Sequence, residues 1–281
     1  WNDRGWAKKI KDSKELGEVE HEWKDGRSEA NSKFDYFLDS KAVVGVFNKI
    51  FYSKMRPKDV SEGDYSNASS VVPGFGKGFE TFSINFHMSL EGTDLDKLAL
   101  TTDKLLAGTD SKITTLGYYC NPIQYAEHRK TLEKVICTAE KFGATHVSTF
   151  AGAWEGKPVE SAYEEFGKVF RELADLAEEK GVKLGIENCL MDGTWEHATC
   201  NIGFNPKAWE VMFEEVKNDN FGLEWEPTHQ MVQLIDPVTE LRKWCKKIVH
   251  IHGKDATIDW DAVRHSGISG AVPFVWHHMP N

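Results

Sequence analysis

No stretch of this 281-residue chain is apolar for long enough to cross a bilayer, and no charged-then-apolar leader marks a signal peptide, so a soluble protein is expected. Cysteines are few and odd in number. Cys120, Cys137, Cys189, Cys200 and Cys245 include no C-x-x-C, which speaks against a disulfide framework or a cysteine-based zinc site and for a reducing, cytoplasmic setting. Positive charge is also short: 34 Lys and Arg stand against 44 Asp and Glu, for a formal charge of -10. A nucleic acid, whose recognition draws on clustered cations, is therefore not the expected partner. No Pro-rich, Ser-rich or single-charge run divides the chain, so residues 1–281 read as one domain with room for a sizeable core. Whether it forms a homo-oligomer is left open.

What is present is alternation. Short apolar runs at 43–51, 79–86, 112–119, 145–152, 183–190, 221–225 and 247–252 read as strands. Between several of them the helical period is clear, with Leu132, Val135, Ile136 and Ala139 on one stripe and Phe166, Val169, Phe170, Leu173 and Ala177 on another. Gly143 and Gly181 sit where helices should stop. Repeated strand-helix units imply parallel strands, in an open doubly wound sheet or a closed barrel. No G-x-G-x-x-G follows the first strand, which favours the barrel over a dinucleotide fold. Residues 53–78, broken by Pro57, Gly63, Pro73, Gly74 and Gly76, leave little room for a regular first helix. Seven strands do not close an eightfold barrel, and the closing "VWHHMPN" reads as a loop. Residues 1–40, read as helix, strand and helix around "VEHEW", supply the missing unit, with 41–281 carrying the first seven strands.

Four strand ends carry side chains that can bind metals. They are "GIEN" with Glu187, "EWEPTH" with Glu226 and His229, "HIHGKD" with His250 and His252, and "VEHEW" with Glu20. Carboxylates and imidazoles suit Mn, Mg, Co or Zn, and barrel active sites lie at the C-terminal ends of the strands. Each motif also has a plainer explanation. Glu18, Glu20 and Glu22 alternate onto one strand face and can simply point into water. Glu226, just before Pro227, can cap the next turn. His250 and His252 share a strand face and can be hydrogen-bonded core residues. Glu187 lies in the apolar run "KLGIENCL", where an unpaired carboxylate is costly, so a functional role is favoured. Lys254 can orient a substrate or pair with Asp255. Asn121, Trp154, His87 and Trp195 follow strand ends and can line a pocket.

The segments "KITTLGYYCNP", "ATHVSTFAG", "KLGIENC", "NIGFNPKAWEVMFEEV", "GLEWEPTHQ" and "IVHIHGKDA", in this order and spacing, resemble the sugar phosphate isomerase/epimerase family of xylose-isomerase-like TIM barrels. That resemblance implies an α/β fold, a (β/α)8 barrel, and metal ligands at Glu187, Glu226, His252 and Glu20. His229 and His250 match histidines that support the ligands or contact substrate. The family's closing helix, strand and helix resemble residues 1–40, so the chain reads as circularly permuted or recorded in an order that is not the gene's. One departure stands out. Family members usually have Asp where this chain has Glu226, and Glu224, on the same face, is a substitute ligand.

The activity so implied is a divalent-metal-dependent isomerase or epimerase of a keto sugar or polyol, working through an enediolate. Manganese is the favoured ion, and Glu187 and Glu20 form the acid/base pair. Alternatives are a lyase that dehydrates a keto-inositol-like substrate and a non-catalytic sugar-binding barrel. An apurinic endonuclease needs more His and Asp ligands and a basic groove. Without a G-x-x-x-x-G-K-[ST] motif or an Arg cluster, an unphosphorylated substrate is favoured.

Overall fold

The computed structural model describes residues 45–48, 81–90, 92–108, 111–270 and 274–278. Residues 1–40, with Glu20, and the connection at 53–78 lie outside them. Seven strands are β1 (Gly45–Asn48), β2 (Thr81–His87), β3 (Lys112–Tyr119), β4 (His146–Thr149), β5 (Lys183–Glu187), β6 (Phe221–Trp225) and β7 (Ile248–Ile251). They form one sheet in sequence order, each parallel to the next. All seven expected strands are there. The helices α1 (Leu95–Leu106), α2 (Ala126–Thr138), α3 (Tyr163–Glu179) and α4 (Pro206–Glu215) run between successive strands from β2 to β6. A short α5 (Pro227–Met231) and α6 (Pro237–Trp244) lead from β6 to β7.

Central strands are covered on both faces, which is why they read as near-continuous apolar runs. In β6 every residue is buried, and in β3 the last five are. The stripe on α3 buries Phe166, Val169, Phe170, Leu173 and Ala177 as its spacing requires. Phe166 stacks on Phe170 at 4.5 Å and both rings meet Phe221 of β6. Burying a ring of this size contributes about 1.5–3 kcal/mol, so this stripe fixes α3 against the sheet. Gly181, at φ 70°, ends the run in the left-handed conformation that glycine adopts without a Cβ clash. Asn205 caps α4 by accepting from the amides of Lys207 and Ala208, ahead of Pro206 in the first turn.

After β7 the chain forms a two-stranded antiparallel hairpin of β8 (Asp255–Ile258) and β9 (Val275–His278), joined through α7 (Trp260–Ser266). The expected loop at "VWHHMPN" is thus in part a strand. Its partner lies about 20 residues upstream, and so distant a pairing leaves no local turn signal in the sequence. Among the described residues, no helix is long and apolar enough to cross a membrane.

One irregularity decides what the sheet presents. Leu223 pairs with Ile248, but Glu224 pairs with His250, so Val249 is the extra residue of a bulge in β7. A slip of one residue turns side chains to the opposite face. Two glycines make room for Val249. A Cβ on Gly222 would stand 2.3 Å from the Lys247 carbonyl oxygen and 2.6 Å from Val249 Cγ1, and one on Gly185 would stand 3.2 Å from Val249 Cγ2.

Candidate metal centre

The carboxylates and imidazoles at these strand ends converge in two tiers. Glu187, Glu224 and His250 are register partners on β5, β6 and β7. Two residues further on lie Cys189, Glu226 and His252. Buried asparagines extend the alignment past the strand ends. The Asn188 side chain donates to the Glu226 carbonyl at 2.9 Å and accepts from its amide at 2.7 Å. Asn201 donates to the carbonyls of Glu187 and Cys189, both at 2.8 Å, and accepts from the amides of Ala151 and Gly203. The His252 amide donates to the Trp225 carbonyl at 3.0 Å.

The lower tier is closed. Glu224 is fully buried, and both its oxygens are taken. Oε2 accepts from the Tyr119 hydroxyl at 2.8 Å; Oε1 accepts from Ser148 at 2.6 Å and lies 2.8 Å from His250 Nδ1. Burial alone would push this carboxyl up, but His252 and His250 outweigh it and hold the group well below the usual carboxylate range. Burial, and next the Glu224 charge, raise the Tyr119 hydroxyl well above its ordinary value, so it stays a donor.

The upper tier is where a cation fits. His252 Nδ1 lies 3.0 Å from Glu187 Oε1 and 3.3 Å from Glu226 Oε2. The other oxygen of Glu226 accepts from Thr228 at 2.5 Å and Lys254 at 3.0 Å, and faces His229 Nε2 at 3.2 Å. Glu226 is the N-cap residue of α5, but its side chain makes no capping bond. Burial would raise its carboxyl too, but Lys254, then His229 and His252, keep it well below the usual range. His252 is pushed the other way: burial works against its charge, and Glu224, with the Glu187 and Glu226 oxygens, raises it well above an ordinary histidine. Burial works against the charge of Lys254 as well, but Glu226 and then Glu187 outweigh it and raise the group.

One imidazole N–H cannot bond both carboxylates well. A divalent ion among the three donors, which lie within 4.8 Å of one another, satisfies them together. His252 Nε2 is 3.2 Å from Glu224 Oε1 but off the line of a hydrogen bond, and it is buried without a partner. The residues present therefore fit a metal ion held by two carboxylates and one imidazole.

Other expected residues fall elsewhere. His250 lies in the lower tier, bonded to Glu224, beneath the upper donors. Asn121 is fully buried with its amide committed to Ala153, Glu155 and Gln124, so it braces the loops after β3 and β4 and has nothing left for a ligand. Trp195 donates to Glu160 and meets Phe204 edge-on, and Trp154 packs half-buried against the core. The His87 ring stands at the end of β2, 5.0 Å from the Tyr119 ring and 6.2 Å from the Phe150 ring. Tyr119, Ser148 and Cys189 were missed. Tyr119 and Cys189 do lie at strand ends, a signal that strand position alone could have supplied.

A family model described as xylose isomerase-like TIM barrel matches residues 77–280, and the chain belongs to that family. Among curated proteins none matches the chain in sequence. Solved structures that resemble it include a probable 3-DHS dehydratase from Bacillus anthracis, with a TM-score of 0.55 at 17% identity over 78% of this chain and 76% of that one. The IOLI protein with a bound zinc atom gives 0.53 at 19% identity over 76% and 73%. A 3-keto-D-glucoside 4-epimerase from E. coli gives 0.54 at 12% identity over 74% and 77%. At these identities the likeness is one of fold.

Proposed function

We propose that this chain is a divalent-metal-dependent isomerase or epimerase of an unphosphorylated keto sugar or related polyol, with manganese the favoured ion. It would act in the cytoplasm, where its five cysteines remain thiols. The observation that carries this reading is the convergence of Glu187 Oε1, Glu226 Oε2 and His252 Nδ1 at the C-terminal ends of parallel strands. Glu20 is the proposed fourth ligand, from the closing strand.

A divalent ion at these donors supplies Lewis acidity toward a carbonyl and its neighbouring hydroxyl. The rest falls to side chains. Glu187 takes the proton α to the carbonyl, and the electron pair moves into an enediolate. Glu20 returns a proton to the opposite face, giving the epimer, or to the adjacent carbon, giving the isomer. Lys254 and His229, gathered on Glu226 Oε1, would meet substrate oxygens.

The same site supports a second reading. Lys254, held protonated beside Glu226, can hand a proton to a departing hydroxyl, and the reaction becomes a dehydration. Both a dehydratase and an epimerase occur among the structural neighbours. The test is a panel of keto sugars and inososes in deuterated water with Mn(II), followed by NMR. Uptake of deuterium at the α-carbon without loss of water supports the isomerase reading, and an unsaturated product supports the lyase. Binding with neither outcome leaves a sugar-binding barrel.

A further inference from the structure

The rim of the cluster carries a donor that oxygen-loving metals do not need. Cys189 follows Glu187 by two residues on the same side of the chain. A Glu187 oxygen, the Cys189 sulfur and a His229 ring nitrogen lie within 4.8 Å of one another. Asn201 fixes the Cys189 backbone through its carbonyl at 2.8 Å, and α5 fixes His229. Among the described residues, Cys189 alone of the five cysteines joins a group of three or more metal-ligating side chains.

We propose that Glu187, Cys189 and His229 form a second cation site, selective for thiophilic divalent ions such as zinc, cadmium and cobalt. The argument is one of donor chemistry. The Glu187, Glu226 and His252 set offers only oxygen and nitrogen, which suit manganese and magnesium. The rim set adds a sulfur, which draws softer ions. A carboxylate, an imidazole and a cysteine sulfur that gives up its proton to the ion make a three-ligand set that zinc accepts. Glu187 belongs to both sets, and in that respect the proposal rests on the reading above. A thiophilic ion at the rim shares or withdraws that carboxylate, so excess zinc inhibits the proposed reaction while manganese does not.

The test is a cobalt titration of chelator-stripped protein, followed by absorption. A thiolate-to-cobalt charge-transfer band should appear, vanish in Cys189→Ser, and require about ten-fold or more cobalt in His229→Ala, the scale on which loss of a supporting group lowers metal affinity. Manganese binding, read by electron paramagnetic resonance, should persist in Cys189→Ser. No sulfur band at saturating cobalt, or an unchanged band in Cys189→Ser, overturns the proposal. An unchanged cobalt requirement in His229→Ala overturns the three-residue site. If manganese fails to bind while the sulfur band stands, the rim site survives and the oxygen-nitrogen site does not.

Discussion

Glu224 and Glu226 lie two residues apart on one face of the chain, and their carboxylates do opposite things. The first is spent on Tyr119, Ser148 and His250. The second turns one oxygen to Thr228 and Lys254 and leaves the other facing His252 and Glu187. Glu226 is therefore the expected ligand and Glu224 the support beneath it. Glu226→Gln should abolish tight manganese binding, measured by calorimetry. Glu224→Gln should instead destabilise the protein, because breaking a buried charge network costs about 3–5 kcal/mol. If Glu224→Gln loses manganese while Glu226→Gln keeps it, the assignment is reversed.

Tyr119→Phe tests the lower tier at nearly constant shape. It removes the hydroxyl that donates to Glu224 Oε2 at 2.8 Å. A buried acceptor left without its donor costs about 1–3 kcal/mol, so chemical denaturation should show a loss of that size. Manganese affinity should change far less than in Glu226→Gln. A variant as stable as the parent would mean that the hydroxyl does not hold Glu224.

Metal binding should release a proton. In the metal-free protein His252 is raised well above an ordinary histidine by the surrounding carboxylates, so near neutral pH it holds its proton. An ion at Nδ1 must displace it. Calorimetry in buffers of different ionisation enthalpy should show about one proton released per manganese, with affinity falling as pH drops. The stability of the metal-free protein runs the other way. A raised histidine contributes fully below its unfolded pKa of about 6.5 and loses that contribution as pH climbs through the folded value. Binding without proton release would mean that the ion sits elsewhere.

The order of strands was legible because parallel strands covered on both faces leave apolar runs, as in "FGLEW" and "KITTLGYY". Glu187 stood out because a carboxylate in such a run needs a reason. The relation of Glu224 to His250 was not legible. It depends on the bulge at Val249, and the glycines that admit it, Gly185 and Gly222, look like ordinary strand glycines until the neighbouring strand is in place. Asn121 misled for a related reason. An asparagine after a strand can face a ligand or stitch two loops, and only the positions of Ala153 and Gln124 decide.

Among the described residues, β1 and β7 each pair with one neighbour only, so the sheet has two open edges. A barrel with seven strands in order needs one more between them to satisfy those backbone groups. We expect residues 18–22 to provide it, with Glu20 directed at Glu187. Amide exchange then separates two cases. As a closing strand, Val19 to Glu22 should be protected like the neighbouring strands, whereas exchange at the rate of an unstructured chain would reject the assignment. Glu20→Gln keeps the shape and removes the proton donor. If Glu20 returns the proton, turnover should fall about 10²- to 10⁴-fold, and deuterium exchange at the α-carbon should persist, because Glu187 still takes the first proton. Loss of exchange and turnover together, with manganese still bound, would assign Glu20 the first step, and undiminished turnover would remove it from the mechanism.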